Sequence, residues 1–239
     1  MIDEKVISIL QDKIQVIEGD ASSLYLVGPI GLPVNLLGET TGFHWYCWLK
    51  CSEQTRDTAR MIEKLSDASL AEYQQSSVLV YGDFANCDDA LIRFHSICHT
   101  GDIFGSKRCD CGYQLKQSMK EITDHGCGAL FYLANHEGRG IGLFSKAMTY
   151  ILQEQGYDTV DANLALGFKD DARDYTDAIA VLKALRQKPV TLMTNNPNKL
   201  KALLESGLNV SERKPLWGDV SQFNEKYLKT KVERSGHLG

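Results

Sequence analysis

Along the first hundred residues, apolar positions gather into short runs rich in β-branched and aromatic side chains, at Leu24–Val27, Trp45–Leu49, Val78–Tyr81 and Leu91–His95. Runs of this length and composition predict strands. Between two of them, Glu53 to Gln74 is charged and free of Gly and Pro. Its Ala59, Ile62, Leu65 and Leu70 fall near helical spacing, which predicts an inserted helix. Residues 1–22 read as a short amphipathic or loosely ordered lead.

Past Cys111 the pattern changes to alternating helices and strands. Tyr113 to His125 is helical in period and stops at Gly126, a residue suited to a C-cap. Gly128 to Ala134 reads as a buried strand, 138–142 as a glycine-rich turn, and Leu143 to Gln155 as a second helix ending at Gly156. A helix over Asp174–Arg186, a strand over Val190–Thr194 and a helix over Asn198–Ser206, closed by Gly207, complete the pattern. Strands first and βα alternation later predict an α/β (α+β) fold, a mixed β-sheet flanked by helices. One domain is expected over 23–239, with a helical insertion at 53–74.

The composition of the 239 residues, 43% hydrophobic and 24% charged, excludes disordered, collagenous and disulfide-scaffold classes. No apolar run approaches the roughly 18 residues that span a bilayer, and Met-Ile-Asp-Glu-Lys does not open a secretory signal. A cytoplasmic protein with no membrane partner is expected. Its seven cysteines (47, 51, 87, 98, 109, 111 and 127) are then expected to be reduced. The net charge of −5 is unevenly spread: residues 183–239 carry 11 Lys and Arg against 5 Asp and Glu. A basic quarter on an acidic chain points to a confined anion site, not to a nucleic-acid-binding face.

Chemistry concentrates in four segments. In RFHSICHTGDIFGSKRCDCGYQ (93–114), Cys98, Cys109 and Cys111 have the spacing C-x10-C-x-C. Three soft ligands suit tetrahedral zinc and leave a fourth position for water, unless His95 or His99 fills it; three unliganded core thiols are the plain alternative. HEGRGIGL (136–143) follows a strand and opens a helix, where backbone amides receive anions. It is neither a dinucleotide fingerprint nor a phosphate loop. In TNNPNK (194–199), Asn196 fits an N-cap and Pro197 the first helical turn, while Lys199 adds charge beside free amides. In KDDARD (169–174), Asp171 and Arg173 stand two apart, where a base and an oxyanion clamp can share a site.

Taken together, HSxCxTGDxFGSxRCDCGxQL (95–115), EGRGIGL (137–143), QGYDTVxAN (155–163), LGFxxDxRDY (166–175), TNNPxK (194–199) and YLxTKxxxxGH (227–237) resemble GTP cyclohydrolase II, in that family's order and spacing. The resemblance implies opening of the imidazole ring of GTP at C8 with release of formate and pyrophosphate, giving 2,5-diamino-6-(5-phosphoribosylamino)pyrimidin-4-one, the first step towards riboflavin. It implies zinc on Cys98, Cys109 and Cys111, magnesium on the nucleotide, and a homodimer. Arg93, Phe94, His95, Ser96, Ile97, Gln114, Glu137, Gly138, Arg139, Thr159, Thr194 and Lys199 then line the GTP pocket. Asp171 matches the family's proton acceptor, Arg173 the residue proposed to attack the α-phosphate, and Tyr150 a tyrosine beside the reacting water.

Ile97 stands where the family usually has Glu, and Asn135-His136 where it usually has Arg-Gln. These departures leave open an enzyme of the same chemistry that acts on a related purine nucleotide, or that stops after ring opening and gives a different product in another pathway; a non-enzymatic zinc module binding nucleic acid is the remote reading. Cys47, Cys51, Cys87 and Cys127 are expected to be packing residues, and Lys226, Lys229 and Lys231 solvated helix surface.

Overall fold

Two long strands, Ser23–Leu36 (β2) and Glu39–Cys51 (β3), form a hairpin in the computed structural model. The model describes residues 2–19, 22–52, 56–73 and 75–238. The hairpin turns at Leu37 and Gly38, both with positive φ, as a two-residue turn matched to the strand twist requires. The runs Leu24–Val27 and Trp45–Leu49 lie within the paired bases of this hairpin. Its outer half was not foreseen, because Pro29, Gly31 and Pro33 interrupt the period and the segment is largely exposed.

The other strands are Ile14–Glu18 (β1), Ser77–Tyr81 (β4), Ala90–Ser96 (β5), Gly128–Leu133 (β6), Val190–Met193 (β7) and Val210–Lys214 (β8). They form one eight-stranded mixed sheet in the order β1-β2-β3-β4-β6-β5-β7-β8. Pairing is antiparallel from β1 through β4 to β6, and parallel across β6, β5, β7 and β8. The α/β expectation is met.

Side-chain alternation on the central strand sorts two cores. Ile92 and Phe94 of β5 face Ala178, Ile179 and Leu182 of a helix over Thr176–Leu185 (α6). Leu91 faces Met119 and Ile122 of the helix over Cys111–His125 (α3). Gly126 closes α3 in the left-handed conformation, as expected. The helices Leu143–Glu154 (α4) and Pro197–Glu205 (α7) also agree with expectation to within a residue or two. Helices over Thr159–Ala165 (α5) and Glu225–Glu233 (α8), and β8, were not foreseen. β8 and α8 show few buried side chains, and α5, at seven residues, is too short to display a period.

The lead over 1–22, of which residues 1, 20 and 21 lie outside the described residues, holds the amphipathic helix Glu4–Gln11 (α1) and, beyond expectation, the edge strand β1. Two expectations need correction. The helix expected over 53–74 is broken, and residues 53–55 and 74 of it lie outside the described residues. Thr58–Glu63 (α2) buries Ile62 alone and is followed by 3-10 turns at Leu65–Asp67 and Leu70–Glu72. Without an apolar face, little holds a longer helix together. Finally, Cys87 and Cys127 are joined in a disulfide instead of packing as thiols. They precede β5 and β6, whose parallel pairing of Leu91 with Gly128 brings the two segments side by side.

Candidate active site

The chain leaves β5 for β6 on one side and returns to β7 on the other, so a crevice opens beyond the carboxyl end of β5. Parallel sheets bind ligands at such switch points. Arg93 and His95 point to the α3 side and into this crevice. Phe94 points the other way, fully buried against Phe131 and Tyr175. Its expected place in the pocket is therefore corrected: period-two alternation takes its ring into the core, and only its carbonyl serves the site, accepting from Lys199 Nζ at 2.6 Å.

Past Ser96 the backbone enters a π-helical turn at His99–Ile103. The buried Asp102 carboxylate organises it, accepting from Cys98 N–H at 2.9 Å and Tyr132 Oη at 3.1 Å, and pairing with His95 Nε2 at 3.0 Å. Cys98, Cys109 and Cys111 come together with all three sulfurs within 4.8 Å of one another. A Cβ on Gly101 would meet two of those sulfurs, at 2.8 and 3.1 Å, so the cluster closes onto bare backbone. Hydrogen bonds from Cys109 and Cys111 pull the Cys98 thiol far below its ordinary range. Cys109, although Cys111 donates to it, is pushed up to about 11 by its bond with Cys98 and by burial. Three thiols this close ionise together only when a cation offsets their repulsion. The donor set and its spacing fit a zinc ion. Among the described residues neither His95 nor His99 joins the cluster.

The same pocket is also lined by cations, among them Arg93, Arg173, Lys199 and Lys231. Lys199, at the start of α7, is buried, and burial followed by the nearby charges of Arg93, Arg173 and Lys231 drives its pKa far down. Asn196 caps α7 and Pro197 opens it, as the sequence predicts. Arg93 donates to Met193 O at 3.1 Å and to Gln114 Oε1 at 2.5 Å, and its Nε has no hydrogen-bond partner among the described residues. Lys231, expected on the solvated surface, instead reaches into the pocket and pairs with buried Asp110 at 2.7 Å.

Asp171 and Arg173 are brought together as a bidentate pair, at 2.8 and 2.5 Å. Burial raises the Asp171 pKa, yet the Arg173 contacts outweigh it and hold the carboxyl below its usual range. Arg173 lines the pocket; Asp171 lies behind it. Ser96, Ile97, Gln114, Glu137, Gly138, Arg139, Tyr150, Thr159 and Thr194 all line the same pocket. The Tyr150 hydroxyl lies 3.3 Å from Thr100 Oγ1, and the Arg108 guanidinium lies over the ring, 4.3 Å from its centroid. Arg139 is held by Asp170 at 2.5 Å and Ser235 at 3.1 Å. Glu137 is saturated, accepting from Lys146 Nζ, His99 N–H and Gly138 N–H at 2.6, 2.7 and 3.1 Å.

The GTP cyclohydrolase II family model matches residues 63–215, more than half of the sequence. The chain belongs to the GTP cyclohydrolase II family. A GTP cyclohydrolase-2 of Acinetobacter baylyi is 46% identical over 188 residues, 76% of this chain and 94% of that protein. One from Escherichia coli O9:H4 is 47% identical over 169 residues, 71% of this chain and 86% of that protein. The riboflavin biosynthesis protein RibBA of Porphyromonas gingivalis is 52% identical over 159 residues, 66% of this chain and 39% of that protein. The chain thus spans about two fifths of these longer relatives. For a GTP cyclohydrolase II family member, sequence reading missed Lys146 and gave no role to Tyr227, Lys231 and His237, although the matching motif YLxTKxxxxGH contains the last three.

Proposed function

We propose that this chain hydrolyses GTP by opening its imidazole ring, releasing formate and pyrophosphate to give the diaminopyrimidine precursor of riboflavin. The observation that carries this reading is one crevice lined both by three clustered thiols and by several buried cations. A purine ring to be hydrolysed and its triphosphate call for both.

Zinc on Cys98, Cys109 and Cys111 would supply Lewis acidity and lower the pKa of water at the purine C8. Everything else comes from the chain. Lys199, Thr194 and Lys231 receive phosphate oxygens, with magnesium carried mainly by phosphate and water. Arg173 serves as an electrostatic clamp on the α-phosphate, because a guanidinium is too weakly nucleophilic to attack it. In the free protein Arg173 and Asp171 saturate each other. An arriving phosphate draws Arg173 away and leaves Asp171 as an unpaired carboxylate able to accept a proton. Tyr150 donates a hydrogen bond during ring opening. Arg93, His95, Ser96, Gln114, Gly138, Arg139 and Thr159 shape the rest of the pocket.

A second reading is favoured by Ile97, which places an apolar wall in the crevice beside Cys98: the nucleotide is a related purine. Zinc-loaded protein given GTP and magnesium is expected to release formate and form a pyrimidine chromophore; absence of both overturns the proposal. Mass spectrometry of products from a purine nucleotide panel separates the two readings.

The same proposal includes a cytoplasmic homodimer. Leu143, Phe144 and Ile151 of α4 are exposed beside the turn that exposes Ile103 and Phe104, an apolar surface suited to a second copy.

A further inference from the structure

We propose that Lys146 is a positioning residue of the thiol cluster, holding the Glu137 carboxylate away from the metal position while hydrogen-bonding the Cys98 sulfur. This rests on the metal reading above. Lys146 projects inward from α4 and is 8% exposed; Glu137, in the turn after β6, is 1% exposed. The ammonium Nζ lies 2.6 Å from Glu137 Oε1 and 3.2 Å from Cys98 Sγ. A single cation thus spans the cluster and a buried carboxylate. The stem is fixed as well: a Cβ on Gly138 would come within 3.1 Å of Lys146 Cβ, so the turn that carries Glu137 packs directly on it.

Charge explains why the bridge matters. Three thiolates and a divalent ion sum to −1, and ionised Glu137 adds another buried negative charge beside them. Lys146 offsets one of the two, and an uncompensated buried charge is costly. Without the lysine, Glu137 Oε1 keeps, among the described residues, only the Gly138 N–H as donor. On this proposal the carboxylate then turns to the metal and fills the fourth position, which hydrolytic zinc sites keep open. The N–H···S contact acts in the same direction, drawing electron density from Cys98 and leaving the metal a stronger acid.

Cobalt(II) substitution reads coordination number directly. The wild-type chain is expected to bind one cobalt with the intense visible bands of a four-coordinate site. Lys146→Met is expected to lose intensity in those bands as coordination rises, and to lose about 10–100-fold in kcat. Lys146→Arg, which keeps the charge, restores the bands, and Lys146→Met combined with Glu137→Gln restores them without restoring charge. Should the Met variant fail to fold, Lys146→Gln gives the same reading. Wild-type bands in the neutral variant, or no recovery on adding Glu137→Gln, would overturn the role of Lys146. A wild-type chain that takes up no cobalt overturns the metal site itself.

Discussion

Lys199 illustrates how a single side chain trades stability for binding. Its ammonium is buried among Arg93, Arg173 and Lys231, with a hydrogen bond to the Phe94 carbonyl. Lys199→Met is therefore expected to raise the thermal midpoint while weakening GTP binding about 10–100-fold, the scale of a lost charged hydrogen bond; calorimetry and KM measure the two. Lys199 was legible because it follows an N-cap and a proline in the basic quarter, where a strand meets a helix. Lys146 was not, since a lone lysine in a helical pattern normally reads as surface. The histidines make a second residue-level prediction. Burial pushes His136 and His237 down to about 4. Unfolded, they take up protons near pH 6.5. Stability is thus full above pH 6.5 and is lost as pH falls towards 4. Thermal midpoints across that window should decline, and less steeply for His136→Gln.

Elements place these side chains by rules that differ in how much the sequence reveals. Strand β5 and helices α3, α4 and α7 announce themselves through period and caps, so the residues they carry were readable. The loop that positions Asp171 and Arg173 depends on a contact invisible in the sequence: Ala172 N–H donates to the Arg139 carbonyl at 3.0 Å. Gly140 lets the two loops approach, with φ of +92° and space for a Cβ only 3.0 Å from Ala172 C. Gly140→Ala is expected to cost about 1–3 kcal/mol of stability and to lower kcat by displacing Arg173. Denaturant titration and steady-state rates on the same preparation check both. The hairpin β2–β3 shows the reverse case, since much of its outer half is exposed and only Leu36, Phe43 and Val34 there join the core, too few to mark a period.

At the scale of the whole molecule, the antiparallel half of the sheet builds bulk while the parallel half carries the chemistry. That division could be anticipated from strands preceding βα units, whereas the Cys87–Cys127 link could not, because strand order is needed to bring the two residues together. Alkylation of the unreduced, metal-free, unfolded chain is expected to count five thiols, rising to seven after reduction. Phe144→Asp is expected to shift a dimer towards monomer in light scattering while leaving the thiol cluster able to bind metal. The C-terminal segment has a practical consequence. Leu238 N–H donates to the Asn195 carbonyl at 2.8 Å, His237 lines the pocket, and Ser235 accepts from Arg139. An affinity tag fused after this segment begins at the rim of the crevice, so kinetic constants should be taken from protein tagged at the other end, beside α1 and the sheet edge.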